Sequence, residues 1–168
     1  MRIAITALTA VFGLTAASLT AAAAGFSKNR IEDAKQTAVQ WVESNRKAFE
    51  DAAIAIHGFA ETGLEEYKSA EALAGLMERN GFRVERGVAD MPTAFVAAFG
   101  SGKPIIGILA EYDALPGLSQ KAAVPVHQPV RDGAPGHGCG HNLLGAGSCA
   151  AAAAMGAAME KHKLAGTV

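Results

Sequence analysis

The sequence predicts an α/β fold in which helices pack on a mostly buried mixed sheet. Three observations predict it. Two amphipathic helical stretches come first, then short alternating or apolar runs of strand length, then an Ala-rich helical stretch. Half of the 168 residues are hydrophobic, enough apolar surface to offset the entropy of ordering and to exclude a disordered chain. The length suits one compact domain.

Taken in order, Met1 and Arg2 precede a stretch without charge that lasts until Lys28. A short positive start, an apolar stretch and small residues at Ala22 and Ala24 read as a secretory signal peptide over residues 1–24. The destination is then the periplasm or the exterior. A membrane anchor formed by residues 3–24 is the alternative, since the run is just long enough to span a bilayer.

From residue 29 to about 56, Ile31, Ala34, Ala38, Val42, Phe49 and Ala53 recur at helical spacing among charged residues. A second helix is expected over residues 63–80, with Leu64, Tyr67, Leu73, Leu76 and Met77 facing inward and Gly81 as its stop. Residues 82–86 alternate as a half-buried strand does, and residues 93–99 are a second strand candidate. Gly100, Ser101 and Gly102 mark a turn. The nearly continuous apolar run 105–110 then reads as a strand buried on both faces.

Residues 111–140 are rich in Pro and Gly and loop-like, a length more often functional than structural. The Ala-rich stretch 143–162 is the third helix, with basic residues near its end to suit the helix dipole. Gly166 ends it, and Thr167-Val168 reads as the first step of another strand. The expectation is therefore a domain cut short before its later strands, with residues 25–168 as its N-terminal portion.

A formal net charge of −1 argues against a nucleic-acid partner, which calls for a basic face. Two Cys do not make a disulfide scaffold. Cys149 sits mid-helix among Ala, where a small buried thiol is the ordinary reading. His57, His127 and His162 are expected to face solvent or loops, with His57 at a helix end where it could border a pocket.

Chemistry concentrates in two places. Glu111 and Asp113 directly follow the apolar run, and ligands in α/β sheets bind beyond the carboxyl ends of strands. Carboxylates there can bind or orient a metal or move protons; a solvated pair has the same appearance in sequence. His137, Cys139 and His141 fall at alternate positions separated by Gly. Thiolate and imidazole together suit a transition metal. Three ligands from one short loop would strain a site, so two of the three are expected to bind. A Cys–His nucleophile and a Cys139–Cys149 disulfide are the competing readings.

The strings AEYDALPGLSQ and PGHGCGHNLLGAGS, with AETGLEEYKSAEAL upstream, strongly resemble the M20 metallopeptidase/amidohydrolase family, in its aminobenzoyl-glutamate hydrolase branch. The resemblance covers most of residues 30–168. It implies a zinc-peptidase-like catalytic domain and a dinuclear metal hydrolase of amide or peptide bonds, with Zn or Mn as ions and Co or Ni as further candidates. It implies Cys139 and His141 as metal ligands, with Glu111, Asp113 and His137 as neighbours that support them. Many members carry Asp after Cys-Gly-His, where this chain has Asn142. The family's general-base Glu is expected beyond Val168, as are its later His ligands and a lid domain through which members dimerise. The expected substrate is a small amide or peptide such as an N-acyl amino acid. As given, the 168 residues are expected to be inactive. The alternative is a secreted, non-enzymatic module that binds a metal or a partner.

Overall fold

A computed structural model describes residues 27–168; the signal-peptide reading of residues 1–24 falls outside them. Helix α1 spans Lys28–Phe59 and begins where the Ser27 hydroxyl accepts the Arg30 amide at 3.3 Å. It ends at Ala60, whose left-handed backbone returns its N–H to the Ile56 carbonyl. Helix α2 spans Tyr67–Arg79. Strands β1 (Arg83–Arg86) and β2 (Phe95–Ala98) form an antiparallel hairpin in which Arg83 faces Ala98 and Arg86 faces Phe95. Strand β3 (Gly100–Ser101) pairs with β4 (Gly166–Thr167), the latter just after helix α3 (His141–His162).

The core lies where three helices meet. Phe49, Ala52, Ala53 and Ile56 of α1 recur at spacings of three and four, so they share one face. They meet Leu73, Leu76 and Met77 of α2 and Ala146, Cys149, Ala150, Ala152 and Ala153 of α3. The small residues of α3 let other elements come close. A side chain at Gly156 would touch the rings of Phe82 and Phe99 at 3.3 Å. Helix α3 is long and apolar enough to cross a membrane, yet more than half of that stretch is buried here, as in the core helix of a soluble domain.

The three helices, the hairpin and the start of β4 follow the sequence expectation, with ends moved by a few residues. Other expectations do not hold. Ile31, Leu64 and Tyr67, expected in inner stripes, are 46%, 56% and 56% exposed. Leu64 precedes α2 altogether and adopts a positive φ of 68°. His162 is not a free surface group: its Nε2 lies 2.8 Å from the Thr37 hydroxyl.

The largest correction concerns residues 105–110. They form no strand, and Ile105 and Leu109 are 72% and 80% exposed. The expected sheet is therefore not mostly buried, and the two small antiparallel pairs lie at the edge of a helical core. A strand buried on both faces needs neighbours on either side and a covering layer. Here residues 105–110 meet one neighbour, β4, through Thr167 N–H to Pro104 O at 2.8 Å and Ile106 N–H to Thr167 O at 2.9 Å. On its other side the β4 end pairs with Phe99, each backbone N–H donating to the other's carbonyl between Phe99 and Val168. Beyond Val168 the gap between β2 and residues 105–110 opens as an apolar cleft of about 870 Å³.

Candidate metal centre

Residues 111–113 continue the extended run, so Glu111 and Asp113 project to one side and Tyr112 to the other. The carboxylate side meets His141, the first residue of α3. Asp113 Oδ1 lies 2.8 Å from His141 Nδ1, and Glu111 Oε2 lies 3.2 Å from His141 Nε2. The three side chains bring ligand atoms within 4.8 Å of one another. Two carboxylates and an imidazole make a donor set that suits a divalent cation such as Zn or Mn.

The arrangement also sorts the roles of the two carboxylates. A carboxylate on one ring nitrogen of a ligating His holds the tautomer and ring orientation. Asp113, the nearer and the less exposed of the two, is placed to accept the Nδ1–H. The Nε2 lone pair then faces Glu111.

Glycine is required where this loop is built. The loop pairs back on its own beginning, with Leu115 and Gly136 exchanging N–H···O bonds of 3.0 Å. A Cβ on Gly136 would sit 2.0 Å from the Leu118 carbonyl oxygen, closer than any contact allows. A Cβ on Gly145 would sit 2.7 Å from the Glu111 carbonyl oxygen, so that position lets α3 lie against the carboxylate segment.

Two side chains dock the loop onto α1. His137 Nε2 lies 3.1 Å from the Ile56 carbonyl, so that nitrogen must carry the proton and donate. Its Nδ1 is buried without a partner, and burial pushes the pKa of this ring below the ordinary histidine value. The His137 ring stacks on His57 at 6.0 Å between centroids. The buried Asn142 amide donates to the Ala53 carbonyl at 3.1 Å. Asp at this position could not make that bond while ionised.

The structure thus brings together Glu111, Asp113 and His141, with His137 close by on α1. It leaves the Cys139 side chain exposed and outside that cluster. Cys149 is buried, and its thiol is pushed up to about 11 by burial, which makes it an inert packing group. Both cysteines are free. Sequence reasoning passed over Tyr112, Thr93 and Glu66, which lie behind the carboxylates. The Tyr112 hydroxyl donates to the Thr93 carbonyl at 2.6 Å, and the Thr93 hydroxyl donates to the buried Glu66 carboxylate. No motif at short spacing signals this, because the three residues are brought together by the fold.

Burial also pushes the Tyr112 phenol up to about 12, with the Glu66 charge adding to it. Tyr112 and Cys149 both have folded pKa values above their ordinary ones, so the fold favours their neutral forms. Their stabilising contribution is complete below pH 9 and is lost as pH rises through 9 to 12. Urea midpoints measured across that range should fall. The fall should be shallower in a Tyr112→Phe, Cys149→Ala double variant.

No family model matches the chain. It is 48% identical over 127 residues to one subunit of the p-aminobenzoyl-glutamate hydrolase of Escherichia coli (strain K12), a match that takes in 76% of this chain and 26% of that protein. The resemblance drawn from the motifs is thereby shown, and the relative is a hydrolase by name. The chain spans about a quarter of the length of this curated relative.

Proposed function

We propose that this chain supplies the N-terminal portion of a metal-dependent amidohydrolase of the M20 type, a zinc-peptidase-like domain acting on an N-acyl amino acid or aminobenzoyl-glutamate-like amide. The observation that carries the reading is His141, held between Asp113 and Glu111 where the two matched motifs meet. The kinship with a hydrolase supports the reaction class. Secretion by residues 1–24, a dinuclear centre and dimerisation through a lid domain belong to the same proposal and rest on the sequence resemblance.

In this reading Asp113 holds the His141 ring in one tautomer, with Nε2 directed toward the ion. Glu111 offers an oxygen on the same side. Cys139, two residues before His141, joins as thiolate by turning inward from its exposed position. His137 and Asn142 fix the loop against α1 so that these groups keep their places. A bound divalent ion would polarise the scissile carbonyl and lower the pKa of the attacking water.

A general base must also reach that water. Among the described residues Glu111 is the carboxylate nearest in function, but it is already paired with His141. The parallel bridge between Ile105 and Thr167 suggests another source. A strand continuing from Val168 in that register runs beside residues 106–110. It reaches the level of Glu111 after as many residues as separate Ile105 from Glu111. A carboxylate at the end of such a strand would face the cluster.

The 168 residues alone are therefore expected to show no amidase activity on N-acyl amino acids, with or without added Zn or Mn. Turnover that a chelator abolishes and that Cys139→Ala removes would overturn that expectation. One observation favours a second reading, a non-enzymatic module: the exposed apolar run 105–109, which a partner could cover. Tight metal uptake by a monomeric, cooperatively unfolding chain would favour the module. Turnover by a protein extended past Val168 would favour the hydrolase. Inactivation by a thiol alkylator but not by a chelator would point instead to a Cys-dependent hydrolase.

A further inference from the structure

Two of the three groups in the metal cluster stand on a segment with little backbone support. Among the described residues, no backbone–backbone hydrogen bond reaches residues 107–113; the nearest are at Ile106 and Ala114. An extended stretch without a ladder has no means of its own to hold two carboxylates in register with a helix. What ties it down is the side chain between them. The Tyr112 ring stacks on Phe95 at 6.1 Å and 18°, and its Cβ lies against Gly145 of α3. Its hydroxyl bonds the Thr93 carbonyl, and the Thr93 hydroxyl bonds Glu66 at the start of α2. Glu66 is 8% exposed, and among the described residues no cation pairs with it. A buried carboxylate held by a single hydroxyl is an expensive feature that packing alone does not require.

We propose that Tyr112 and Glu66, bridged by Thr93, are positioning residues that hold Glu111 and Asp113 in place for metal binding. The alternation of the extended chain is what makes this work. With Tyr112 pinned inward, its two neighbours must face outward, toward His141. The proposal rests on the reading of Glu111, Asp113 and His141 as a metal centre.

The test uses the purified chain and Co²⁺ as probe, followed by visible absorption and calorimetry. Tyr112→Phe removes only the hydroxyl. It should weaken Co²⁺ binding by roughly 10–100-fold, the usual effect of removing a group that orients a ligand, and should change the intensity of the Co²⁺ bands. Glu66→Gln keeps an acceptor for Thr93 and should bind Co²⁺ within about 3-fold of the unaltered chain, whereas Glu66→Leu should resemble Tyr112→Phe. Thr37→Val removes a comparable hydroxyl bond far from the cluster and should leave Co²⁺ affinity unchanged. A metal-free arm measures backbone order by ¹⁵N relaxation. Residues 107–113 should be nearly rigid, with order parameters of about 0.85, and should fall toward about 0.6 in Tyr112→Phe. Unchanged Co²⁺ affinity or unchanged order parameters in Tyr112→Phe would overturn the proposal. If the unaltered chain takes up no Co²⁺, the metal reading fails, and the positioning role stands or falls on the order parameters alone.

Discussion

Replacing His141 with Ala should remove measurable divalent-metal uptake. His141 is the sole nitrogen donor of the Glu111–Asp113–His141 group, and both its ring nitrogens face carboxylates at 3.2 and 2.8 Å. Without it, two partly exposed carboxylates are left, and these hold a divalent ion weakly in water. The loss should be at least about 100-fold in affinity, beyond the 10–100-fold typical of groups that only orient a ligand. Asp113→Asn, which keeps the shape but weakens the bond to Nδ1, should fall within that smaller range. Calorimetric titration with Zn²⁺ measures both. Cys139→Ala in the same series weighs the family resemblance against the exposed position of the thiol. A loss as large as that of His141→Ala makes Cys139 a ligand; an affinity like that of the unaltered chain keeps it out of the centre.

The second large effect is on stability, and it reverses an expectation drawn from the sequence. Leu73→Ala should destabilise the chain by about 2–5 kcal/mol, because Leu73 is 0% exposed at the meeting of three helices and its removal leaves a cavity. Ile106→Ala should change stability by no more than about 0.5 kcal/mol, because Ile106 is 47% exposed. In a thermal melt of a domain of this size the first corresponds to a drop of roughly 6–20 °C, the second to little more than one degree. Read from sequence, Ile106 lies in the most buried strand of the molecule. Equal losses at the two positions would mean that residues 105–110 are covered in solution by something beyond the described residues.

The helices were legible because helix formation is local. Ser27 caps α1, Phe49, Ala53 and Ile56 repeat on one face, and the Ala-rich stretch has no other good conformation. The hairpin was legible from alternation in residues 82–86 and the turn signals after it. The candidate site was legible in part: Glu111, Asp113 and His141 carry metal chemistry in their side chains, and the motifs around them are specific enough to name a kinship that the 48% identity then showed. Burial was not legible in the same way. An apolar run reads as a buried strand whether or not partners exist to cover it, since the partners lie elsewhere in the chain. That is why Ile105 and Leu109 were misplaced, and why Leu64 and Tyr67 were expected inside.

What the sequence by itself determined is the set of local elements and the chemical inventory of two loops. Only the tertiary structure decided which of those groups meet. It set Asp113 and Glu111 on either side of His141, and it turned the Cys139 thiol to solvent. It stacked His137 on His57 and brought Tyr112, Thr93 and Glu66 behind the carboxylates. The physical reason is one of range. Backbone propensity and periodicity act over a few residues and are written in consecutive positions. Hydrogen bonds such as Asn142 to Ala53, across 89 positions, depend on how α1 and α3 pack, and packing is a property of the whole chain.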